Sequence, residues 1–118
     1  MEYRQFVVPS DAELVDTLGV SPEMVEGEPT VRSLSLTSAV GDKVLLSYDV
    51  LGRSFRIQIS SGDALRLDLL RESATHLSVS AEGRDIRVRV MLEAADLTGE
   101  MDVLIGDEIV VQDRLLMA

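Results

Sequence analysis

Few residues in this sequence are of the types that carry out catalysis. Cysteine is absent, which excludes disulfides, thiolate metal sites and cysteine nucleophiles. His76 is the one histidine of the chain, and the alternation in THLSVSA places it on the polar side of a strand, where a surface role is favoured over general-base catalysis. No serine lies in a Gly-x-Ser-x-Gly motif. We therefore expect no enzyme activity, and an enzyme acting through His76 is the least favoured alternative.

Motifs for phosphate, cofactor and metal binding are also missing. The chain has no Gly-x-Gly-x-x-Gly segment, and GDKV at 41–44 lacks the earlier glycine of a P-loop. Asp107 and Glu108 follow Gly106, and although carboxylates can bind calcium or magnesium, turn formation explains this Gly-Asp pair better. We expect neither a cofactor nor a metal ion.

Arginine is the most informative residue type. In RDIRVRVMLE, residues 84–93, Arg87 and Arg89 alternate with apolar residues in a chain of net charge -10. Arg56 alternates in the same way in SFRIQIS. The favoured interpretation is a solvated sheet face on which arginines pair across strands with carboxylates such as Asp68 or Glu82. The alternative is that Arg56, Arg87 and Arg89 form one face that binds an anionic ligand, the carboxylates of a partner or the acidic N-terminal helix.

Acidic residues are concentrated at the two ends of the chain. Residues 1–30 and 93–118 each have seven acids and one base, whereas residues 31–92 have seven acids and nine bases. Such a field repels nucleic acid and attracts basic proteins. We expect a basic protein partner and no nucleic acid. The predicted partner-binding residues are Glu23, Glu26, Glu28, Asp102, Asp107 and Glu108.

The first 29 residues are predicted to be mainly helical. EYRQFVVP could form a short strand. SDAELVDTLG should form a helix, with Ser10 as the N-cap, Glu13 completing a capping box and Gly19 ending it. SPEMVEG repeats these signals over residues 21–27 and predicts a second, shorter helix. A turn is expected at GEPT, 27–30.

From residue 30 the hydrophobic period changes to two, which is typical of half-buried antiparallel strands. Turn signals recur about every ten residues, as in a meander. Strands are predicted at 31–38, 43–51, 54–60, 64–70, 75–82, 85–92, 100–105 and 108–113. The segment at 64–70 is ambiguous, because its leucine, arginine and glutamate content also suits a helix. RLLMA, 114–118, would form a last strand or cover the core.

The predicted fold is therefore α+β, in one domain over residues 1–118. One or two short N-terminal helices pack on a mostly antiparallel meander sheet of about six to eight strands, with a half-barrel as an alternative form. The predicted core residues are Leu14, Val15, Leu18, Met24, Leu34, Leu36, Leu45, Phe55, Ile57, Ile59, Leu67, Leu77, Val79, Val88, Val90 and Val103. An exposed edge strand, 31–38 or 108–113, could pair with a second copy of the chain.

Three functions are compatible with these features. The first is a non-enzymatic protein-interaction domain that inhibits a basic partner, as immunity proteins and antitoxins do. The second is a sheet or half-barrel that binds a small molecule near Tyr48, Arg56 and Arg89. The third is the enzyme acting through His76. Neither a signal peptide nor a membrane-spanning segment is evident, so we expect a cytoplasmic protein without membrane association.

Overall fold

The structure is a computed structural model that describes residues 5–117. One helix precedes nine strands, and all strand pairs are antiparallel. The elements are α1 (Asp11–Leu18), β1 (Glu23–Val25), β2 (Glu28–Thr37), β3 (Lys43–Asp49), β4 (Ser54–Ser61), β5 (Ala64–Glu72), β6 (Ala74–Glu82), β7 (Asp85–Ala94), β8 (Leu97–Ile105) and β9 (Ile109–Met117). The α+β class is confirmed, as is strand structure in the ambiguous segment at 64–70.

Local sequence signals explain the ends of α1. The Ser10 hydroxyl accepts a hydrogen bond from the Glu13 backbone N–H at 3.2 Å, so the N-cap half of the predicted capping box is present. Gly19 adopts the left-handed conformation, with φ 75°, and donates its N–H to the Val15 carbonyl at 2.9 Å. Leu14 and Leu18 are buried against the rest of the protein, as predicted, whereas Val15 is 44% exposed, so its predicted place in the core is wrong.

The prediction of a second helix over residues 21–27 is wrong. Glu23–Val25 forms β1, a turn at residues 26–27 follows, and Gly27 takes a positive φ of 79°. A helix of about one and a half turns has little independent stability, because nucleation is costly. Pairing with β2 satisfies the backbone of the same residues. Met24 consequently lies on a strand and is 62% exposed, so its predicted place in the core is also wrong.

The strands form two sheets, rather than the single meander sheet or half-barrel that we expected. The first sheet has the order β1-β2-β3-β4-β5 and the second has the order β6-β7-β8-β9. Ser73 separates them, with a positive φ of 64°, and the neighbouring Ala74 donates its N–H to the Arg53 carbonyl. The turn at Ser73 directs the chain out of the first sheet, so that β6 cannot pair with β5.

The apolar faces of both sheets meet in one core, which α1 also enters. Leu14, Phe55, Ile57, Val88 and Val103 are each at most 1% exposed and belong to the same cluster. Alternation along β3 buries Val44, Leu46 and Tyr48 and leaves Leu45 38% exposed, so the predicted inward position of Leu45 is wrong. Three further predicted core residues are only partly buried: Ile59, Leu67 and Val79.

The chain ends and the edge strands test the remaining predictions about the fold. The strand predicted for EYRQFVVP begins outside the described residues, but Val7 forms a parallel bridge with His76. β9 is an edge strand, as expected for 108–113, whereas β1 covers β2 as far as Ser33, which corrects the expected edge at 31–38. Pairing of two copies through an edge stays a prediction. Ala118 lies outside the described residues. No helix within residues 5–117 has the length and hydropathy needed to span a membrane.

Candidate protein-interaction surfaces

The alternating arginines of β7 face acidic residues on β8. Arg89 Nη2 lies 3.2 Å from Asp102 Oδ2, and Arg89 Nε lies 2.8 Å from Glu100 Oε1. Arg87 Nε lies 3.4 Å from Asp102 Oδ1, so one carboxylate serves two guanidinium groups. The register makes this possible, because Arg89 is directly opposite Asp102. We call Arg87, Arg89, Glu100 and Asp102 the β7–β8 ladder.

The ladder neutralises basic residues of the middle of the chain with acidic residues of its C-terminal end. Asp102 was predicted to bind a partner, but its side chain is only 17% exposed and is already paired with two arginines. No ion pair joins Arg87 or Arg89 to the acidic residues of α1 within residues 5–117. The arginines therefore pair across strands, and the alternative in which they dock the N-terminal helix is wrong.

Arg56 belongs to the other sheet. It lies on β4, and its Nη2 and Nε atoms donate to the two carboxylate oxygens of Asp68 at 2.6 Å and 2.8 Å. Hydrogen bonding to the Arg56 guanidinium holds the pKa of Asp68 below its ordinary value. Arg56 thus shares no face with Arg87 and Arg89, so the alternative of one basic surface formed by all three is wrong. A role of each arginine in anion binding stays a prediction.

Three of the predicted acidic residues come together in the β1–β2 hairpin. Glu23 lies on β1, Glu26 is in the turn and Glu28 begins β2. All three are exposed, and none forms an ion pair with another residue between 5 and 117. We call this segment, residues 23–28, the acidic hairpin. It presents three carboxylates to solvent at one end of the first sheet.

Asp107 and Glu108 lie elsewhere, in the turn between β8 and β9. Asp107 is 83% exposed and approaches Arg84 only to 4.0 Å. The turn adjoins the β2–β3 connection, because Ala39 donates its N–H to the Gly106 carbonyl. The ten residues of β2 separate that connection from the acidic hairpin, a distance of about 30 Å for an extended strand. The two acidic groups are therefore separate surfaces.

A groove that the sequence analysis missed crosses the outer face of the first sheet. It has a volume of about 530 Å³, and residues from all five strands line it. Its apolar lining includes Met24, Leu45 and Leu70, and its charged lining includes Glu28, Asp49 and Arg56. We call it the β1–β5 groove. The exposed positions of β3, which alternate with buried Val44 and Leu46, were the available signal.

The residues predicted to bind a small molecule are only partly brought together. Tyr48 and Arg56 both line the β1–β5 groove, but Arg89 is on the second sheet. Tyr48 is 3% exposed, and burial, followed by the negative charge of Asp11, raises the pKa of its phenol above the ordinary 10.0. Its hydroxyl therefore keeps its proton to a higher pH than that of an exposed tyrosine.

The catalytic candidates do not assemble into a site within residues 5–117. His76 is exposed on β6, and its Nδ1 lies 3.2 Å from the Thr75 hydroxyl. No group of three His, Cys, Asp or Glu side chains in that range could hold a metal ion. Among residues 5–117, the hydrogen-bond partner of the His76 ring is thus a hydroxyl, whereas a general base of the triad type is oriented by a carboxylate.

Comparison with known proteins gives one fold relationship. No protein-family model matches the sequence, and no curated protein matches it either. Among solved structures, the chain is similar to a chain of the contact-dependent growth inhibition toxin–immunity protein complex from Klebsiella pneumoniae 342. The TM-score is 0.77 and the sequence identity 13%, over 92% of this chain and 96% of that chain. The two chains therefore share a fold over nearly their whole lengths.

Proposed function

We propose that this protein is a non-enzymatic, immunity-like inhibitor that binds and neutralises a basic toxic protein. The observation that carries the proposal is the fold shared with a chain of a toxin–immunity protein complex, at a TM-score of 0.77 over 92% of this chain. A match that includes nearly all of both chains compares complete architectures rather than one common motif.

The side chains of this protein suit the inhibitor of such a complex better than the toxin. A toxic enzyme needs clustered catalytic groups, whereas His76 is exposed and the hydrogen-bond partner of its ring within residues 5–117 is the Thr75 hydroxyl. An inhibitor needs a complementary surface instead. Within residues 5–117 the acidic hairpin supplies exposed carboxylates that form no ion pair, and in the β8–β9 turn Asp107 is 83% exposed and reaches Arg84 only at 4.0 Å.

The charge of the chain suits a basic partner. Enzymes that act on nucleic acids carry basic surfaces, because they bind the phosphate backbone. A protein of net charge -10 is attracted to such a surface, which accelerates association and disfavours acidic competitors. The proposed inhibitor would therefore bind quickly and with a strong dependence on salt.

The test begins with affinity capture from the source organism by the tagged protein, at about 50 mM and about 500 mM salt, a range over which screening of exposed charges increases severalfold. The expected result is a basic protein retained at low salt and released at high salt. Expression of that protein should arrest growth of a test bacterium, and co-expression of this chain should restore growth. Failure to restore growth, or capture of no basic protein, would refute the proposal.

A second candidate function is binding of a small molecule in the β1–β5 groove. Its volume of about 530 Å³ is within the usual range of ligand pockets, about 300 to 1,000 Å³. A thermal-shift screen of small anionic and neutral compounds tests it, with Arg56→Gln as the matched variant. A compound that stabilises the wild type but not the variant would support this function.

A further inference from the structure

The outer faces of the two sheets differ in how far their charged side chains form ion pairs with each other. On the second sheet, the β7–β8 ladder pairs its own arginines with its own carboxylates. On the first sheet, the β1–β5 groove has Arg56 as its one lining cation, and Asp68 already holds that side chain at 2.6 Å. Glu28 and Asp49 also line the groove, which leaves it with an excess of negative charge.

Exposed apolar side chains border the same groove. Met24 is 62% exposed, Leu70 is 56% exposed and Leu45 is 38% exposed. They come from β1, β5 and β3, so apolar surface lies on both sides of the groove and along its floor. Apolar surface beside carboxylates that form no ion pair within residues 5–117 is complementary to a cationic side chain flanked by apolar residues.

We infer that the β1–β5 groove is the docking site for the basic partner and that it receives a lysine or arginine side chain from a partner segment with apolar flanks. The inference rests on the proposed function, because it takes a basic protein as the occupant. The Glu28 carboxylate accepts hydrogen bonds from the cation, and the apolar flanks cover Met24 and Leu70. The acidic hairpin, which forms one wall, extends the attraction beyond the groove.

Charge complementarity selects this occupant over an acidic one. An anionic segment would meet Glu28, Asp49 and the nearby Asp68, and the groove's one lining guanidinium is held by that last carboxylate. Glu28 and Asp49 form no ion pair with another residue between 5 and 117. The partner cation thus gains attraction without having to displace an existing ion pair.

The test uses random dodecapeptides displayed on phage, selected on the immobilised full-length protein at about 50 mM salt, where screening of exposed charges is weak. The enriched peptides are then synthesised, and their dissociation constants are measured by fluorescence anisotropy. We expect the enriched peptides to share a lysine or arginine next to apolar residues.

Matched variants locate the binding site. Leu70 on β5 and Leu115 on β9 are both on edge strands and are 56% and 59% exposed. Leu70→Arg places a positive charge at the apolar border of the groove and should weaken peptide binding by at least about tenfold, because it repels the peptide's cation and removes apolar contact surface. Leu115→Arg makes the same change on the other sheet and should leave binding within about twofold, as expected for a surface outside the interface. Glu28→Gln and Glu108→Gln form a second matched pair, and only the former should weaken binding.

Three outcomes would overturn the inference: enrichment of no peptide, enrichment of peptides without a basic residue, or equal effects of Leu70→Arg and Leu115→Arg. The growth-rescue experiment separates this result from the proposed function. If a captured toxic protein is neutralised equally well by the wild type and by Leu70→Arg, the groove assignment is wrong and the inhibitor function stands. If peptides bind in the groove but no toxic partner is captured, the inhibitor function is wrong and the groove remains a site for basic segments.

Discussion

Replacing Leu14 by alanine tests whether α1 is an integral part of the core. Leu14 is 0% exposed and α1 packs against β6. The substitution removes three carbon atoms, which corresponds to about 2.4 kcal/mol of lost transfer free energy at about 0.8 kcal/mol per methylene. The cavity left behind adds to this loss, so we expect the free energy of unfolding to fall by about 3 kcal/mol, within the range known for buried leucines.

The neighbouring Val15 provides the control for this prediction. It lies on the same helix but is 44% exposed, and Val15→Ala should cost less than about 1 kcal/mol. Urea unfolding, monitored by circular dichroism, measures the free energy of unfolding of both variants. Its dependence on urea concentration, the m value, should be the same as in the wild type. The melting temperature of Leu14→Ala should fall by about 12 °C, given an unfolding entropy of about 2.1 cal/mol/K per residue. Equal losses for the two variants would refute the view that α1 is fixed to the sheets through Leu14.

Three further predictions concern ionisable groups. Asp102→Asn should lower the free energy of unfolding by about 1 kcal/mol, because it replaces the negatively charged carboxylate that two arginines share by a neutral amide. Asp107→Asn is the control and should have no measurable effect in the same urea titration. The Asp68 carboxyl, followed by NMR, should titrate below 3.8, and Arg56→Gln should raise its midpoint. The pair's contribution is present above the unfolded-state pKa of Asp68 and is lost as the pH falls through the lowered folded value. Tyr48, followed by ultraviolet absorbance after replacement of the other tyrosine by phenylalanine, should ionise above pH 10.0; stability should decline as the pH rises from the unfolded to the folded value, and ionisation at the ordinary pH would contradict its burial.

Signals that act over a few residues were enough to predict much of the fold. Ser10 and Gly19 delimit α1 because capping needs only groups within one helical turn. Strands with strict alternation, such as the one containing Val88 and Val90, were located to within two or three residues. Their alternation reflects one buried and one exposed face, and it does not depend on which strand lies next to them.

Features that depend on distant contacts could not be predicted in the same way. The segment with Ser21 and Gly27 has helix signals, but pairing of Glu23–Val25 with β2 decides its structure. Ser73 is not a typical turn residue for a positive φ, so the division into two sheets left no clear trace in the sequence. The assignment of Leu45 to the core failed because Val44, Leu45 and Leu46 are all apolar, and only the full register of β3 shows which face is buried.

The candidate site shows the same limit. Alternation placed Arg56, Arg87 and Arg89 correctly on polar faces, and cross-strand pairing with carboxylates was the favoured interpretation. Whether those faces belong to one sheet depends on the strand order, which separates Arg56 from the other two. The β1–β5 groove requires β1, and the sequence analysis had assigned that segment to a helix. Its apolar border therefore became visible only with the three-dimensional arrangement.

The strand order has a consequence for how the chain folds. Within each sheet, every strand pairs only with strands that precede or follow it directly along the chain. Hairpin closure between such neighbours involves short loops and a small entropic cost, so the contact order of each sheet is low for a β protein. We therefore expect the slowest step of folding to be the packing of the two sheets, which Ser73 connects, against each other. A refolding rate nearer to that of mixed α/β domains than to that of Greek-key sandwiches follows from this arrangement.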